Sequence, residues 1–477
     1  MTLFQSLTLI AAASLLLFFS ESTIVFQVCT FCGSVVAFQL FYRMMKNAHL
    51  VRLGNIACFS ILFGYAGSTA VYTITNFAHF SELDYRVNVF WLGYSQTTIS
   101  YALLTVFISS VLLSAVSRFE KPLYLTGYLQ ESLSAQSLWL IVLSAVLIMI
   151  GFINNDIGYM GTSLISEGRI SPFGALCFIA IPPLTAITIG YLLFLPDELK
   201  RYRKLLIVVS IFLTVTLIPL GRRVLMYTII TTVIVIGPLF FESFRKKKIK
   251  IFHILGVVLA ILVITGWGFR SFYAMRMSIY KMTFQQTSSV TEIIPYTLEL
   301  MRDSYAMAEL QEKLAENISQ RPFILSYLAG LIDAHTSRNT PAFGELGLAL
   351  AMTVPSLLQP QKTRDLPSTS EDYIHPILGL PVFDGPNTML TAGLNDLGLL
   401  GILIYPVMIV GVYILISRVI LSNCPPFLCL FISLRLMYSL LYLEDGLGSI
   451  VGSGLRDLAI VALFYWAILK IPTNSFR

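Results

Sequence analysis

The 477-residue chain is 56% hydrophobic and only 12% charged, with a mean hydropathy of +0.77 and a net charge of +6. A soluble domain carries about 25% charged residues, so most of this surface faces something other than water, and the modest positive charge is no nucleic-acid footprint. The apolar residues form continuous runs such as 205–220 and 251–269, which selects membrane helices over the alternating strands of a barrel.

Taken in order, apolar stretches of roughly 17–25 residues predict about twelve transmembrane helices. They fall at about 4–19, 23–42, 53–76, 94–116, 137–154, 172–195, 205–220, 223–241, 251–269, 396–417, 425–443 and 457–472. The first run has no basic residues ahead of it and reads as a span rather than a cleaved leader. The seventh and eighth are separated only by the turn Gly221-Arg222-Arg223. Cys29 and Cys32 form a C-x-x-C inside an apolar helix with no His or acidic neighbour, so packing is a better account of them than redox or zinc chemistry.

Orientation follows from Lys and Arg in the short loops. One set of loops and termini carries seventeen, among them Arg43, Lys46, Arg118, Lys200, Arg203, Lys246, Arg418 and Lys470. The opposite set carries five: Arg86, Arg169, Arg222, Arg223 and Arg456. The first set is expected to be cytoplasmic, with both termini inside. The chain then divides into 1–269 with nine spans, a large external loop at 270–395, and 396–477 with the last three spans.

The loop is too long for a simple connector. Residues 291–320 read as an amphipathic helix with Leu298, Met301 and Tyr305 on one face, ended by Arg321-Pro322. Two apolar stretches, 323–332 and 343–358, are too short to span and read as re-entrant or interfacial pieces. From 359 to 391 the loop is polar and rich in Pro and Gly, a binding loop, lid or linker.

No Walker A sequence, dinucleotide fingerprint, H-E-x-x-H or G-x-S-x-G is present, and no acidic cluster has metal-site spacing. Neither cofactor nor metal is called for. Arg222 and Arg223 lie on the outer edge against the charge bias, so they either bind an anionic head group such as a pyrophosphate or snorkel to lipid phosphates. Arg270 and Arg276 begin the long loop at the same level. Arg435 lies inside the eleventh span and reads as half of a structural ion pair, with Asp396 and Glu444 as candidate partners, or as a site lining. A base that takes a proton from a hydroxyl would come from His375, Asp384, Asp396, Glu345 or His335.

In topology the chain resembles the O-antigen polymerase and ligase superfamily. Gly221-Arg222-Arg223 sits where those enzymes place a functional arginine, and Arg270 and Arg276 match the arginine expected as the loop begins. The stretch 354–362 (VPSLLQPQK) is similar to a proline-and-lysine segment of repeat-unit polymerases, and 387–401 (NTMLTAGLNDLGLLG) resembles the entry to their tenth span. His375 falls only approximately where the ligases carry a histidine.

The resemblance implies an all-α, GT-C-like glycosyltransferase in the bacterial cytoplasmic (inner) membrane. Its substrates would be undecaprenyl-pyrophosphate-linked oligosaccharides, polymerised at the outer face without metal or nucleotide. Arg222, Arg223, Arg270, Arg276 and Asn387 would bind substrate, and His375, Asp384 and Asp396 are the catalytic candidates. Membrane lipids and a chain-length regulator protein would be partners, and nucleic acid would not. Two rivals stand beside this reading: a ligase that attaches finished glycan to another acceptor, and a transporter or flippase of lipid-linked glycans, whose expected internal repeat is not evident.

Overall fold

A computed structural model describes residues 1–76, 94–154, 156–157, 172–247, 266–268, 270–275, 277–278, 290–303, 308, 323–338, 340–354, 359, 361, 366–367, 369–381, 385–421, 424–443 and 446–470. Every regular element among them is helical. In order these are α1 (Leu3–Phe18), α2 (Thr23–Lys46), α3 (Leu53–Thr75), α4 (Gln96–Ser117), α5 (Leu125–Glu131) and α6 (Ala135–Ile153). Then come α7 (Pro172–Phe194), α8 (Arg203–Leu220), α9 (Arg222–Lys247), α10 (Val290–Arg302), α11 (Phe323–Ser337) and α12 (Gly344–Thr353). The last are α13 (Ser370–Leu378), α14 (Met389–Leu397), α15 (Leu399–Leu421), α16 (Pro426–Leu441), α17 (Leu447–Val451) and α18 (Leu458–Leu469).

Eight helices among the described residues are long and apolar enough to cross a bilayer: α2, α3, α4, α6, α7, α8 with its 3₁₀ lead-in, α9 and α15. Each coincides with an expected span. Helices α1 and α16 stand where the first and eleventh spans were expected, at 16 residues each. Most of the expected ninth span lies outside the described residues. Outward-facing side chains on these helices are apolar: Phe4 is 73% exposed, Phe38 69%, Val208 64% and Val419 70%. Faces of that kind belong in hydrocarbon, and the chain is a polytopic helical membrane protein.

Two compact units are present. The first holds Met1–Leu123, Asn317–Val419 and Ser439–Arg456; the second holds Tyr124–Glu316, Ile420–Tyr438 and Asp457–Arg477. Within the first, α4 packs on α1, α3 and α11, while α12 packs on α13, α14 and α17. Within the second, α7 packs on α6, α8, α9 and α18.

Local chemistry sets the helix starts. The Ser22, Ser95, Ser134, Thr369 and Thr388 side chains each accept a backbone N–H in the first turn of the helix that follows, which stabilises a start by about 1 kcal/mol. Where no such residue precedes the helix, a remote carboxylate serves. Glu120 accepts the N–H groups of Leu53 and Gly54 at 2.7 and 3.0 Å, capping α3. Hydropathy does not reveal the π-helical turns at Phe63–Gly67 inside α3 and at Gly452–Asp457 between α17 and α18. The second makes the last helix begin at Leu447, about ten residues before the expected 457.

The long loop departs from expectation in three places. Helix α10 ends at Arg302, with Asp303 outside it, and most of the rest of the expected 291–320 helix lies outside the described residues. The polar 359–391 segment contains α13 and the capped start of α14, and is packed: His375 and Thr388 are both 0% exposed. The tenth span begins at Leu399 rather than 396, because Gly398 at φ 62° breaks the chain between α14 and α15. By contrast α12 stops at Thr353, and Val354 turns extended (ψ 129°), as the residue before Pro355 must.

Candidate functional site

In the second unit, Pro219 and Leu220 end α8, Gly221 turns at φ 121°, and α9 begins with Arg222. Its first turn contains no acidic residue. A helix N-terminus is already partially positive, so two arginines there work against the helix and suit an anion. Arg222 donates to the Tyr273 hydroxyl and lies 5.5 Å over its ring. Tyr273 is 5% exposed in an apolar cluster with Phe272, Ala274 and Leu300, against which Ile218, Tyr296 and Met301 pack. Helix α10 therefore packs on the 270–275 segment that carries Tyr273. Arg223 is half-buried and Arg270 exposed; Arg276 lies outside the described residues. Tyr273 was not expected at this site, and its one signal is an aromatic residue beside Arg270.

The first unit holds the remaining candidates in two buried polar groups. One surrounds His375 on α13. Its Nδ1 lies 2.9 Å from the Pro381 carbonyl oxygen, which can only accept, and its Nε2 lies 2.9 Å from the Tyr327 hydroxyl. That hydroxyl is also 3.3 Å from Asn387 Oδ1, so its single proton serves one neighbour at a time. Beside them Tyr65, in the π-turn of α3, bonds Thr388 at 2.8 Å, and Glu371 accepts the Gly385 N–H at 3.2 Å. Burial lowers the pKa of His375, against the opposing pull of Pro381 and Asp372. The ring is neutral, sealed and engaged at both nitrogens, so it meets any substrate only through Tyr327. Asn387 is 6% exposed. Asp384 lies outside the described residues.

The other group surrounds Asp396, which is 3% exposed. Its Oδ1 accepts the Glu345 N–H at 2.7 Å, and its Oδ2 accepts the Leu346 N–H at 2.9 Å and the Tyr405 hydroxyl. Phe343, at φ 58°, makes no side-chain cap at the start of α12, and Asp396 supplies one. These bonds occupy the carboxylate with holding α12 rather than with taking a proton. Glu345, 1% exposed, accepts from Asn395 Nδ2 at 2.8 Å. Burial, with smaller pushes from Asp396 and Glu371, raises its pKa to about 7 despite its polar neighbours Asn395 and Ser370. Asn395 Oδ1 lies 3.1 Å from His335 Nε2.

A cavity of about 400 Å³ opens beside this group. Ile332, Leu394, Leu397 and Leu399 form its apolar side, and His335, Thr336, Thr340 and Asp396 its polar side. In the second unit a cavity of about 320 Å³ between α6, α7 and α18 is almost wholly apolar, with Leu147, Leu176, Val461 and Phe464 among its walls.

Arg435, 1% exposed on α16, lies 5.1 Å over the Tyr438 ring. Of its candidate partners, Asp396 has the three hydrogen bonds given above, and Glu444 lies outside the described residues. All six cysteines are free, and Cys29 donates to the Ala12 carbonyl as a packing residue. Among the described residues no three His, Cys, Asp or Glu side chains converge as a metal site. No protein-family model, curated protein or solved structure matches this chain.

Proposed function

We propose that this membrane protein is a glycosyltransferase that polymerises oligosaccharide repeat units carried on undecaprenyl pyrophosphate, at the outer face of a bacterial cytoplasmic membrane. The observation that carries the reading is the Arg222–Arg223 pair opening α9, with no acid in that turn and Arg222 held by Tyr273. Two guanidinium groups at a helix N-terminus fit a pyrophosphate. They also stabilise it as a leaving group, where negative charge grows in the transition state. The anomeric carbon of the donor sugar is attacked by a hydroxyl of the acceptor repeat, its bond to the pyrophosphate oxygen breaks with its electron pair, and the hydroxyl proton passes to a base. The apolar cavity among α6, α7 and α18 is a fitting place for part of a prenyl chain. Neither metal nor nucleotide enters this scheme.

The test is purified protein with a cognate lipid-pyrophosphate-linked repeat unit, run on a gel. A ladder is expected from the wild-type protein. Replacing Arg222 and Arg223 together by Gln should reduce polymer at least 100-fold with the protein still folded, since a charged bond in the transition state is worth about 2.7–4 kcal/mol. Polymer of wild-type length from that variant would sink the site. A single transfer to a different acceptor, without a ladder, would make the protein a ligase.

A further inference from the structure

We infer that His335, oriented by Asn395 and Glu345, is the proton-accepting group of a hydroxyl-binding site in the cavity at the end of α11. Asn395 fixes the chemistry. Its Nδ2 donates to Glu345 Oε2 at 2.8 Å, so its Oδ1 is turned to His335 Nε2 at 3.1 Å. An amide oxygen only accepts, so Nε2 carries the proton of the neutral ring and the lone pair resides on Nδ1. Nδ1 makes no hydrogen bond among the described residues and is not sealed in the interior. His335 lies on the cavity wall with the Thr336 and Thr340 side chains.

His375 differs on each of these points, being 0% exposed with both nitrogens occupied. Burial lowers the pKa of His335, with Asn395 opposing, which keeps the ring unprotonated and able to accept near neutrality. The titratable groups around Glu345 are Asp396 on α14, Glu371 on α13 and Tyr405 on α15; α17 has none, and Arg456 just beyond it donates to the Thr353 carbonyl at the far end of α12. A carboxylate behind an amide behind an imidazole follows the logic of a base held by a third group. As the acceptor oxygen bonds to the anomeric carbon and the bond from that carbon to the pyrophosphate breaks with its electron pair, the hydroxyl proton moves to Nδ1 and gives an imidazolium, which Glu345 stabilises through Asn395 where its carboxyl is ionised, above about pH 7.

Naming the hydroxyl as a saccharide's rests on the glycosyl-transfer reading; the tautomer and its relay do not. Two measurements separate them. In ¹⁵N-histidine-labelled protein, His335 should show the Nε2–H tautomer and titrate in one step, while His375 keeps Nδ1–H. The opposite tautomer at His335 would overturn the relay whatever the activity. In the polymerisation assay, His335→Ala should lose at least 100-fold in kcat with little change in KM, and added imidazole should restore at least tenfold. Glu345→Gln should lower the rate above about pH 7, where the carboxyl is ionised and stabilises the imidazolium, and leave the acid limb in place. A His335→Ala protein with a wild-type rate from pH 6 to 9 would overturn the base assignment. A folded wild-type protein that makes no polymer would instead sink the glycosyl-transfer reading and leave the tautomer to decide the relay.

Discussion

Asp396 satisfies two backbone N–H groups of α12 and the Tyr405 hydroxyl. Replacing it by Ala leaves those buried donors without an acceptor, at about 2–4 kcal/mol. Asp396→Ala should therefore lower the thermal midpoint in detergent by several degrees, whereas a catalytic carboxylate would cost rate at unchanged stability. Glu345 makes a pH-dependent contribution of definite sign. Its pKa rises from an ordinary 4.5 to about 7 in the folded protein, so between those values the folded state holds the extra proton. Its stabilisation is complete below pH 4.5 and is lost as pH rises through 7, by about 3 kcal/mol. The thermal midpoint of the wild-type protein should fall relative to Glu345→Gln between pH 5 and 8; parallel curves would contradict the buried carboxyl. Tyr273→Phe keeps the ring over Arg222 and removes the hydroxyl, which should raise KM for the lipid-linked substrate about three- to tenfold.

Helices α14 and α15 meet at Gly393 and Gly401, where a Cβ on either would strike the backbone carbonyl of the other. Close backbone approach between small residues is a membrane-helix packing device. Gly393→Ala should reduce folded yield sharply and displace α14, and with it Asp396 and Asn395, so a well-folded variant with the wild-type midpoint would refute the tight contact. Much of this element scale was legible. Eight runs of apolar residues became eight helices long enough to span, because continuous hydropathy and helix length report the same bilayer thickness. The capping pair Thr369 and Asp372 stood in plain view as the signal for α13 inside a segment read as loop. What was not legible is pairing at a distance. Asn395 and Glu345 are 50 residues apart, and His335 and Asn395 are 60, so composition and spacing could nominate His335 and Glu345 but not join them. Exposure was equally hidden, and it separates His375 from His335.

At the scale of the whole chain, the excess of basic residues in one set of loops predicts a definite topology. Alkaline phosphatase fused after residue 360 should be active outside the cell membrane, and the same reporter fused after 246 inactive. The reverse pattern would invert every span and bring Arg222 and Arg223 to the cytoplasmic side, away from any external donor. Only 12% of the residues are charged, and exposed side chains such as Phe4 and Val419 need hydrocarbon.

The π-turn in α3 acts as a phase slip. It slots one additional residue into the helix between Phe63 and Gly67, so Val71, eight positions after Phe63, keeps the angular place of a residue seven positions on. Seven residues make about two turns, and Phe63 and Val71, 42% and 43% exposed, share one meridian of the helix with Ile74 close by at 59%. Deleting one residue from this turn would restore an unbroken α-helix and leave Val71 and Ile74 on the same meridian, whereas winding the undeleted turn as a plain α-helix would swing both by about 100° away from it.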